Sequence, residues 1–329
     1  MLTDQKMPEF SDILEASQRL ESYAVRTPLV RSDVLDEITG GRVFLKPECL
    51  QRTGSFKFRG AWNFISRLSA QANTGGVVAY SSGNHAQGVA AAARIMGLPA
   101  LIVMPEDAPA IKKRNTLALG AEVVTYDRFS GNREEIGGTL AAERGAQIVP
   151  PYEHPWIIAG QGTAGLELVQ DLEARGERPD VVAVCTGGGG LTAGIAIAVK
   201  ELVPDAQVFA CEPENFDDYG RSLAAGERVS NEVGPMSICD AIVTPTPGEL
   251  TFAVNQPRLA GGVAVSEEEV RRAVRFAFET LKLVVEPGGA VALASILAGK
   301  IDCRGKTIAA TLSGGNADAA VMSGILGSA

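Results

Sequence analysis

Histidine is the scarcest of the chemically useful side chains in this 329-residue chain, with only His85 and His154 present. Two isolated imidazoles give no support to a zinc site built from His and Cys at the usual ligand spacings. Neither accompanies a G-x-S-x-G elbow, which takes a Ser-His-Asp hydrolase out of easy reach. The five cysteines (Cys49, Cys185, Cys211, Cys239 and Cys303) are odd in number, widely spaced and without a C-x-x-C, so reduced thiols are the ordinary reading. No Lys/Arg cluster follows the pattern that tracks phosphates, and the formal net charge is -9, so nucleic-acid binding is not expected. The first twenty residues lack the basic start and apolar core of a signal peptide. Long apolar runs are also missing: "VAAAARIMGLPALIVMP" is broken by Arg94, Gly97 and Pro99, short of a membrane span. A cytoplasmic protein with no membrane partner is the expectation.

What the chain has in quantity is glycine, 37 residues, against 5% aromatics. Small residues in that number suit close packing of helices on a sheet and tight strand-to-helix turns. Hydrophobic content of 46% and charged content of 21% are globular values. The length favours two lobes or one large α/β unit.

Residues 11–23 read as a helix capped by Ser11, with Ile13, Leu14 and Leu20 on one face. A second helix should begin at or just after Lys57, because Phe58, Ala61, Trp62, Ile65 and Leu68 recur at helical spacing. From about 75 to 150 an apolar run precedes each helical segment, with Gly97, Gly120 and Gly145 at the helix ends. The rhythm resumes after Pro151, with "GLELVQDLEARG" as helix, "DVVAVCTGGGG" as strand and loop, "LTAGIAIAVKEL" as helix and "QVFACEP" as strand. Ser266 with Glu269 forms a capping box ahead of "VRRAVRFAFETL". Alternating strands and helices predict open, mainly parallel sheets flanked by helices, an α/β fold. The Pro150-Pro151 break and the change of rhythm divide the chain into a large unit (1–73 with 151–329) and a small one (74–150).

The stretch "RTGSFKFRGA" (52–61) sets Lys57 between Phe56 and Phe58 at a loop-to-helix boundary. Apolar neighbours disfavour an ammonium, which is what a nucleophilic lysine needs. Ligands of open parallel sheets bind beyond the carboxyl ends of strands, and three loops lie there. In "SSGNHAQG" (81–88), the amides of Ser82, Gly83 and Asn84 would sit at a helix N-terminus and favour an anion such as a substrate carboxylate, although alone this stretch reads first as a helix cap. In "CTGGGGLTAG" (185–194), the glycines Gly187, Gly188, Gly189 and Gly190 have no packing reason visible in the sequence, and they let amides close around a phosphate. In "LSGGN" (312–316), Ser313 suits a heterocyclic ring nitrogen. A rival reading takes Gly188, Gly190 and Ala193 as a relaxed dinucleotide fingerprint with Glu212 as its ribose acid. That nicotinamide oxidoreductase leaves Lys57 unexplained.

A lysine beside anion-binding loops and a phosphate cradle matches the requirements of pyridoxal phosphate. The sequence resembles the fold type II pyridoxal-phosphate enzymes, in the branch of the threonine/serine dehydratases and serine racemase. The resemblance runs from "RTPLV" (26–30) through "FLKPECLQRTGSFKFRGA", "SSGNHAQG", "AGQGTAGLEL" (159–168) and "GGGGL" to "LSGGN". It implies a tryptophan synthase β-like fold with the site between two domains. Lys57 would carry the cofactor as a Schiff base, Phe56 and Asn84 would meet the ring and its 3-oxygen, Gly187–Gly190 the phosphate and Ser313 the ring nitrogen. Ser81, Ser82, Gly83, Asn84 and His85 would form the substrate loop, with Ser82 on the ring face opposite Lys57. Glu212, Asp218 and the Phe216 carbonyl match the family's divalent-cation site, for Mg2+ or Ca2+. The implied activity is elimination of the β-hydroxyl of a 3-hydroxy amino acid (threonine, serine, 3-hydroxyaspartate or an analogue) to a 2-oxo acid and ammonia, with racemisation as the alternative. A homodimer is the implied assembly. The chain departs from relatives at Cys239 and Ala241, beside Asp240. If that segment borders the substrate, a plain threonine or serine preference is in doubt.

Overall fold

The structure is a computed structural model that describes residues 6–68, 75–81, 83–108, 110–127, 131–232 and 237–327. The chain opens with α1 (Phe10–Leu20), β1 (Val30–Arg31), α2 (Asp33–Thr39), β2 (Arg42–Pro47) and α3 (Lys57–Leu68). Strand–helix units follow: β3 (Val77–Tyr80), α4 (Asn84–Met96), β4 (Ala100–Pro105), α5 (Ala110–Ala118), β5 (Glu122–Tyr126), α6 (Arg133–Arg144) and the strand β6 (Gln147–Ile148). The next stretch holds α7 (Pro155–Glu173), β7 (Val181–Cys185), α8 (Gly190–Leu202), β8 (Gln207–Pro213), α9 (Asp218–Ala225) and α10 (Glu249–Asn255). The chain closes with β9 (Gly261–Val265), α11 (Glu267–Glu279), α12 (Val291–Leu297), β10 (Thr307–Leu312) and α13 (Ala319–Gly327).

The strands form a six-stranded sheet, order β1-β2-β10-β7-β8-β9, and a four-stranded sheet, order β5-β4-β3-β6. Only β1 runs antiparallel, pairing Val30 with Leu45 of β2. The central strands β7 and β10 are buried along their whole length, as parallel strands covered on both faces must be. The expected α/β architecture of two mainly parallel sheets flanked by helices is therefore present. No helix among the described residues is long and apolar enough to cross a membrane.

Several local expectations meet their physical reasons here. The start of α3 at Lys57 holds, and Phe58, Ala61, Trp62, Ile65 and Leu68 are all buried. Gly97 and Gly145 end their helices in the left-handed region, at φ 69° and 61°. Ser266 accepts from the Glu269 amide and the Glu269 carboxylate accepts from the Ser266 amide, closing the capping box. Ser11, by contrast, is not a cap: α1 begins one residue earlier, and the Asp12 carboxylate accepts the Glu9 N–H at 2.8 Å. Leu14, a step of about 100° round the helix from buried Ile13, is exposed.

The largest difference is α7, which starts ten residues before the expected "GLELVQDLEARG". His154 caps it, its Nδ1 accepting from the Trp156 amide at 3.1 Å. The glycines of "AGQGTAG" read as helix breakers in sequence, yet they are contact points. A Cβ at Gly160 would lie 2.6 Å from the Arg59 carbonyl, and one at Gly162 would lie 2.9 Å from the Gly194 carbonyl. Without side chains there, α7 packs directly against α3 and α8.

Between these helices lies a buried ion network. Arg59 donates to both oxygens of Glu48 (2.7 and 2.8 Å) and to both of Glu167 (2.7 and 2.8 Å). Lys46, also fully buried, donates to Glu167 and to the Thr27 carbonyl, each at 2.7 Å. Burial alone would lower the Arg59 pKa, but the charges of Glu48 and Glu167 hold it above its ordinary value. Replacing Glu48 by alanine leaves a guanidinium half-compensated in the interior and should cost about 3–5 kcal/mol, read as a lowered urea midpoint. Alanine at Asp302, whose pair with Lys306 lies on the surface, should leave the midpoint unmoved.

Candidate active site

The carboxyl ends of β3, β7 and β10 open into one cavity of about 140 Å³ between the two sheets, and all three glycine-containing loops reach it. Lys57 enters from the first turn of α3. The chain before it turns through Thr53 and Gly54, both at positive φ (64° and 73°), which aims the helix start at the cavity. The Lys57 amine donates to the Pro151 carbonyl at 2.9 Å and lies 5.1 Å from the centre of the Phe56 ring. Burial pushes its pKa down to about 8. The two flanking phenylalanines divide the work. Phe56 lines the cavity with the lysine, whereas Phe58 is fully buried and stacks on Trp62.

The loop after β3 ends in the N-terminus of α4. Ser81 accepts the Gly83 amide on its hydroxyl at 3.1 Å; Ser82 lies outside the described residues. Asn84 is clamped at both ends of its amide: Nδ2 donates to Glu286 at 2.5 Å, and Oδ1 accepts from Asn316 at 2.8 Å. This fixes which end of Asn84 is donor, and leaves its second N–H for a ligand. His85 lines the cavity, but its Nε2 meets the Val149 carbonyl at 2.8 Å. A carbonyl only accepts, so Nε2 carries the proton, and burial, with Lys57 nearby, depresses the imidazole pKa to about 3.

The glycine loop has steric reasons that the sequence did not display. A Cβ would lie 2.9 Å from the Ile242 carbonyl at Gly187 and 2.7 Å from Gln161 Oε1 at Gly190. At Gly188 it would land in the Tyr152 ring, and at Gly189, φ +91°, on the Tyr219 hydroxyl. Gly190 opens the thirteen-residue α8, so the loop amides lie at a positive helix end. Across the cavity, Ser313 lies on the turn after β10, and its carbonyl accepts the Phe56 N–H at 3.1 Å. That bond sets Ser313 and Lys57 in fixed register.

Glu212 and Asp218 stand apart from this cavity. Glu212 accepts the amides of Tyr219 (3.0 Å) and Gly220 (2.8 Å), and burial, then the Asp218 charge, raises its pKa well above the carboxylate range. Both oxygens accept amides at the start of α9, and Glu212 lies outside the cavity lined by Gly188 and Gly190, which removes the support for a dinucleotide site. Asp218 Oδ1 accepts from Asn231 at 2.6 Å, while Oδ2 is buried without a hydrogen-bond partner among the described residues. Phe216 sits in the turn between them, its amide bonded to the Pro213 carbonyl at 3.1 Å. Among the described residues no group of three or more His, Cys, Asp or Glu is arranged to hold a metal.

Lys112, Arg133 and Tyr152 of the cavity wall were not singled out from sequence, nor was Glu286, which holds Asn84 from behind that wall. Glu286 had a signal, a lone acid in the apolar "LVVEPGGAVALA". Lys112 pairs with Asp240 at 2.6 Å, and Arg133 lies over the Tyr80 ring at 5.8 Å. Asp240 and Ala241 also line the cavity, so the segment that departs from the expected pattern does border the ligand space.

A family model described as pyridoxal-phosphate dependent enzyme matches residues 20–314. Over 312 residues the chain is 41% identical to the L-threo-3-hydroxyaspartate ammonia-lyase of Saccharomyces cerevisiae, covering 95% of this chain and 94% of that one. It is 43% identical to the L-threonine ammonia-lyase of Thermotoga maritima, covering 97% and 78% of the two chains. Among solved structures, maize serine racemase superposes with a TM-score of 0.91 at 34% identity, covering 96% of each chain.

The desolvated amine makes a direct prediction. Labelling of the cofactor-free protein by an amine-selective reagent, followed by peptide mapping, should show Lys57 half reactive at about pH 8. Exposed lysines titrate near about 10.4. Reactivity at Lys57 should fall away as the pH drops below 8, because the amine then takes up its proton.

Proposed function

The chain belongs to the pyridoxal-phosphate-dependent enzymes, and from that premise we propose that it is an ammonia-lyase of 3-hydroxy amino acids, with a 3-hydroxyaspartate-type substrate preferred over threonine and serine. The observation that carries the chemistry is Lys57, a desolvated amine facing a glycine cradle at a helix N-terminus within one cavity. The donor set fits the cofactor: amides of Gly187–Gly190 for a phosphate, the Asn84 N–H for a ring oxygen, the Phe56 ring for an aromatic face and the Ser313 hydroxyl for a ring nitrogen. When bound, pyridoxal phosphate supplies the electron sink that makes the α-proton of an amino acid acidic.

The side chains then have distinct tasks. Lys57 anchors the cofactor and acts as the base for the α-proton, a role suited to an amine with a pKa of about 8. The loop of Ser81, Ser82, Gly83, Asn84 and His85 receives the substrate carboxylate at the head of α4. Ser313 would meet a ring nitrogen with a neutral hydroxyl and not a carboxylate, which would favour loss of the β-hydroxyl. Arg133 supports the dicarboxylic substrate, since its guanidinium stands in the cavity wall over Tyr80, where a side-chain carboxylate would find a fork of donors. The 41% identity with a 3-hydroxyaspartate ammonia-lyase points the same way. Racemisation is the second reading, favoured by relatives named serine racemase at 38% and 39% identity, and it assigns Ser82 as the proton donor on the opposite face.

A magnesium or calcium ion held by Glu212, Asp218 and the Phe216 carbonyl is the finer part of the proposal. The unpartnered Asp218 Oδ2 beside a buried carboxylate is an arrangement that a hard cation relieves. Homodimeric assembly and cytoplasmic location are proposed on the family resemblance, and light scattering of the purified protein tests the first of them.

Turnover of L-threo-3-hydroxyaspartate, L-threonine and L-serine, followed as 2-oxo acid and ammonia, tests the reading. Lys57→Ala should abolish it with every substrate. Arg133→Leu should lower kcat/KM for the dicarboxylic substrate by about 10- to 100-fold, the range for a hydrogen bond to a charged group, and barely change it for serine. Ser82→Ala should remove racemisation and spare elimination from the L-enantiomer; racemisation that persists unchanged excludes Ser82 as the second acid. For the cation, Mg2+ or Ca2+ added after EDTA should raise the melting temperature of the wild type and not that of Asp218→Asn.

A further inference from the structure

Behind the glycine loop, on the side away from the cavity, three polar side chains are completely buried: Tyr219 on α9 and Thr251 and Asn255 on α10. They form one directed chain of hydrogen bonds. Thr251 Oγ1 lies 2.6 Å from the Gly188 carbonyl and 3.3 Å from the Gly248 carbonyl; both can only accept, so its only proton is spent on a carbonyl, the nearer being that of Gly188. Tyr219 Oη must then be the donor to Thr251, at 3.1 Å. Asn255 Nδ2 has two protons and two acceptors, the Gly189 carbonyl at 3.2 Å and Tyr219 Oη at 2.9 Å. Every donor in the set points toward the loop, ending on the carbonyls of two consecutive glycines. The orientation leaves Asn255 Oδ1 buried without a partner. An apolar side chain would have filled the same space without that cost.

Peptide planarity turns this into a statement about the cavity. Within one trans peptide the C=O and the next N–H point in opposite directions. The Gly188 carbonyl, held back by Thr251 and the Gly248 amide (3.4 Å), and the Gly189 carbonyl, shared between Asn255 and the Ala193 amide of α8 (2.8 Å), therefore turn the amides of Gly189 and Gly190 forward. A run of four glycines has more backbone freedom than any other tetrapeptide, and a cradle made of it would have to be ordered each time an anion bound. We propose that Thr251, Asn255 and Tyr219 are positioning residues that pre-orient the Gly188–Gly190 peptides, and so set the affinity of the site for the phosphate ester of its cofactor. The inference rests on the reading of Gly187–Gly190 as the phosphate cradle and adds the machinery that holds it open.

The test compares two ligands that differ only in the phosphate. Cofactor-free enzyme is titrated with pyridoxal phosphate and with pyridoxal, following protein fluorescence, for the wild type and for Thr251→Val, Thr251→Ser and Asn255→Leu. Thr251→Val and Asn255→Leu should each weaken pyridoxal phosphate binding 10-fold or more and leave pyridoxal binding within twofold, with inorganic phosphate becoming a poorer competitor. Thr251→Ser keeps the hydroxyl and should bind as the wild type does. Unchanged affinity for pyridoxal phosphate in both Thr251→Val and Asn255→Leu overturns the proposal. Equal weakening of both ligands also overturns it, since that is the result of a general structural role. If Asn255→Leu does not fold, the Thr251 pair decides alone. A wild type that binds pyridoxal as tightly as its phosphate ester refutes the cradle reading itself, an outcome visible before any variant is made.

Discussion

A guanidinium with no access to water sits at the centre of this molecule, and much of the site's geometry follows from satisfying it. Arg59 is closed on one side by Glu48, from the turn after β2, and on the other by Glu167, from the middle of α7. Two bidentate pairs fix the rotation of α3 about its axis as well as its position. Lys57 is two residues earlier on the same helix, a rotation of about 200°, so the face opposite the anchored arginine is the one that presents the amine to the cavity. The Lys-Phe-Arg run is thus a single device, with an inward anchor, an apolar spacer and an outward nucleophile.

That anchoring requires helices to come closer than side chains normally permit. Gly60 of α3 faces the Ile157 carbonyl, Gly160 faces Arg59, and Gly162 meets Gly194 of α8. The glycine content suggested close packing of helices on a sheet as well as tight turns, and Gly60, Gly160, Gly162 and Gly194 add direct contact between helices. Such close approach brings Glu167 within reach of Arg59 and brings the head of α8, with the glycine loop, beside the head of α3. Helix packing and the glycine loop use different glycines, Gly60, Gly160, Gly162 and Gly194 for the first and Gly187 to Gly190 for the second.

This division explains what was legible in the sequence. The strand–helix rhythm, the start of α3, the capping box at Ser266 and the three loops at strand ends are written in local patterns of a dozen residues or fewer, and those patterns survive in the fold. The true start of α7 was hidden because a glycine that serves a neighbouring helix looks the same as one that ends its own. Ser11 illustrates the converse, a good cap residue displaced when Asp12 captured the Glu9 amide. Arg133, Thr251 and Asn255 carry no local pattern. Their contacts exist only because residues far apart in sequence meet, Arg133 with Tyr80 at the cavity and, behind its loop, Thr251 with Gly188 and Asn255 with Gly189, 63 and 66 positions apart.

The cavity wall holds two lysines, and they are partnered differently. Lys112 lies in the same wall as Lys57 and is the more enclosed of the two, but its amine is bound to the Asp240 carboxylate at 2.6 Å. Lys57 meets a carbonyl and an aromatic face, neither of which repays the lost hydration of an ammonium as a carboxylate would. The nearby acids are occupied elsewhere: Glu286 takes the Asn84 amide, Glu48 takes Arg59, and Asp240 takes Lys112. Holding a lysine's pKa down near 8 depends less on what surrounds it than on giving every neighbouring carboxylate another partner. In this molecule the buried arginine and the clamped asparagine do that for Lys57.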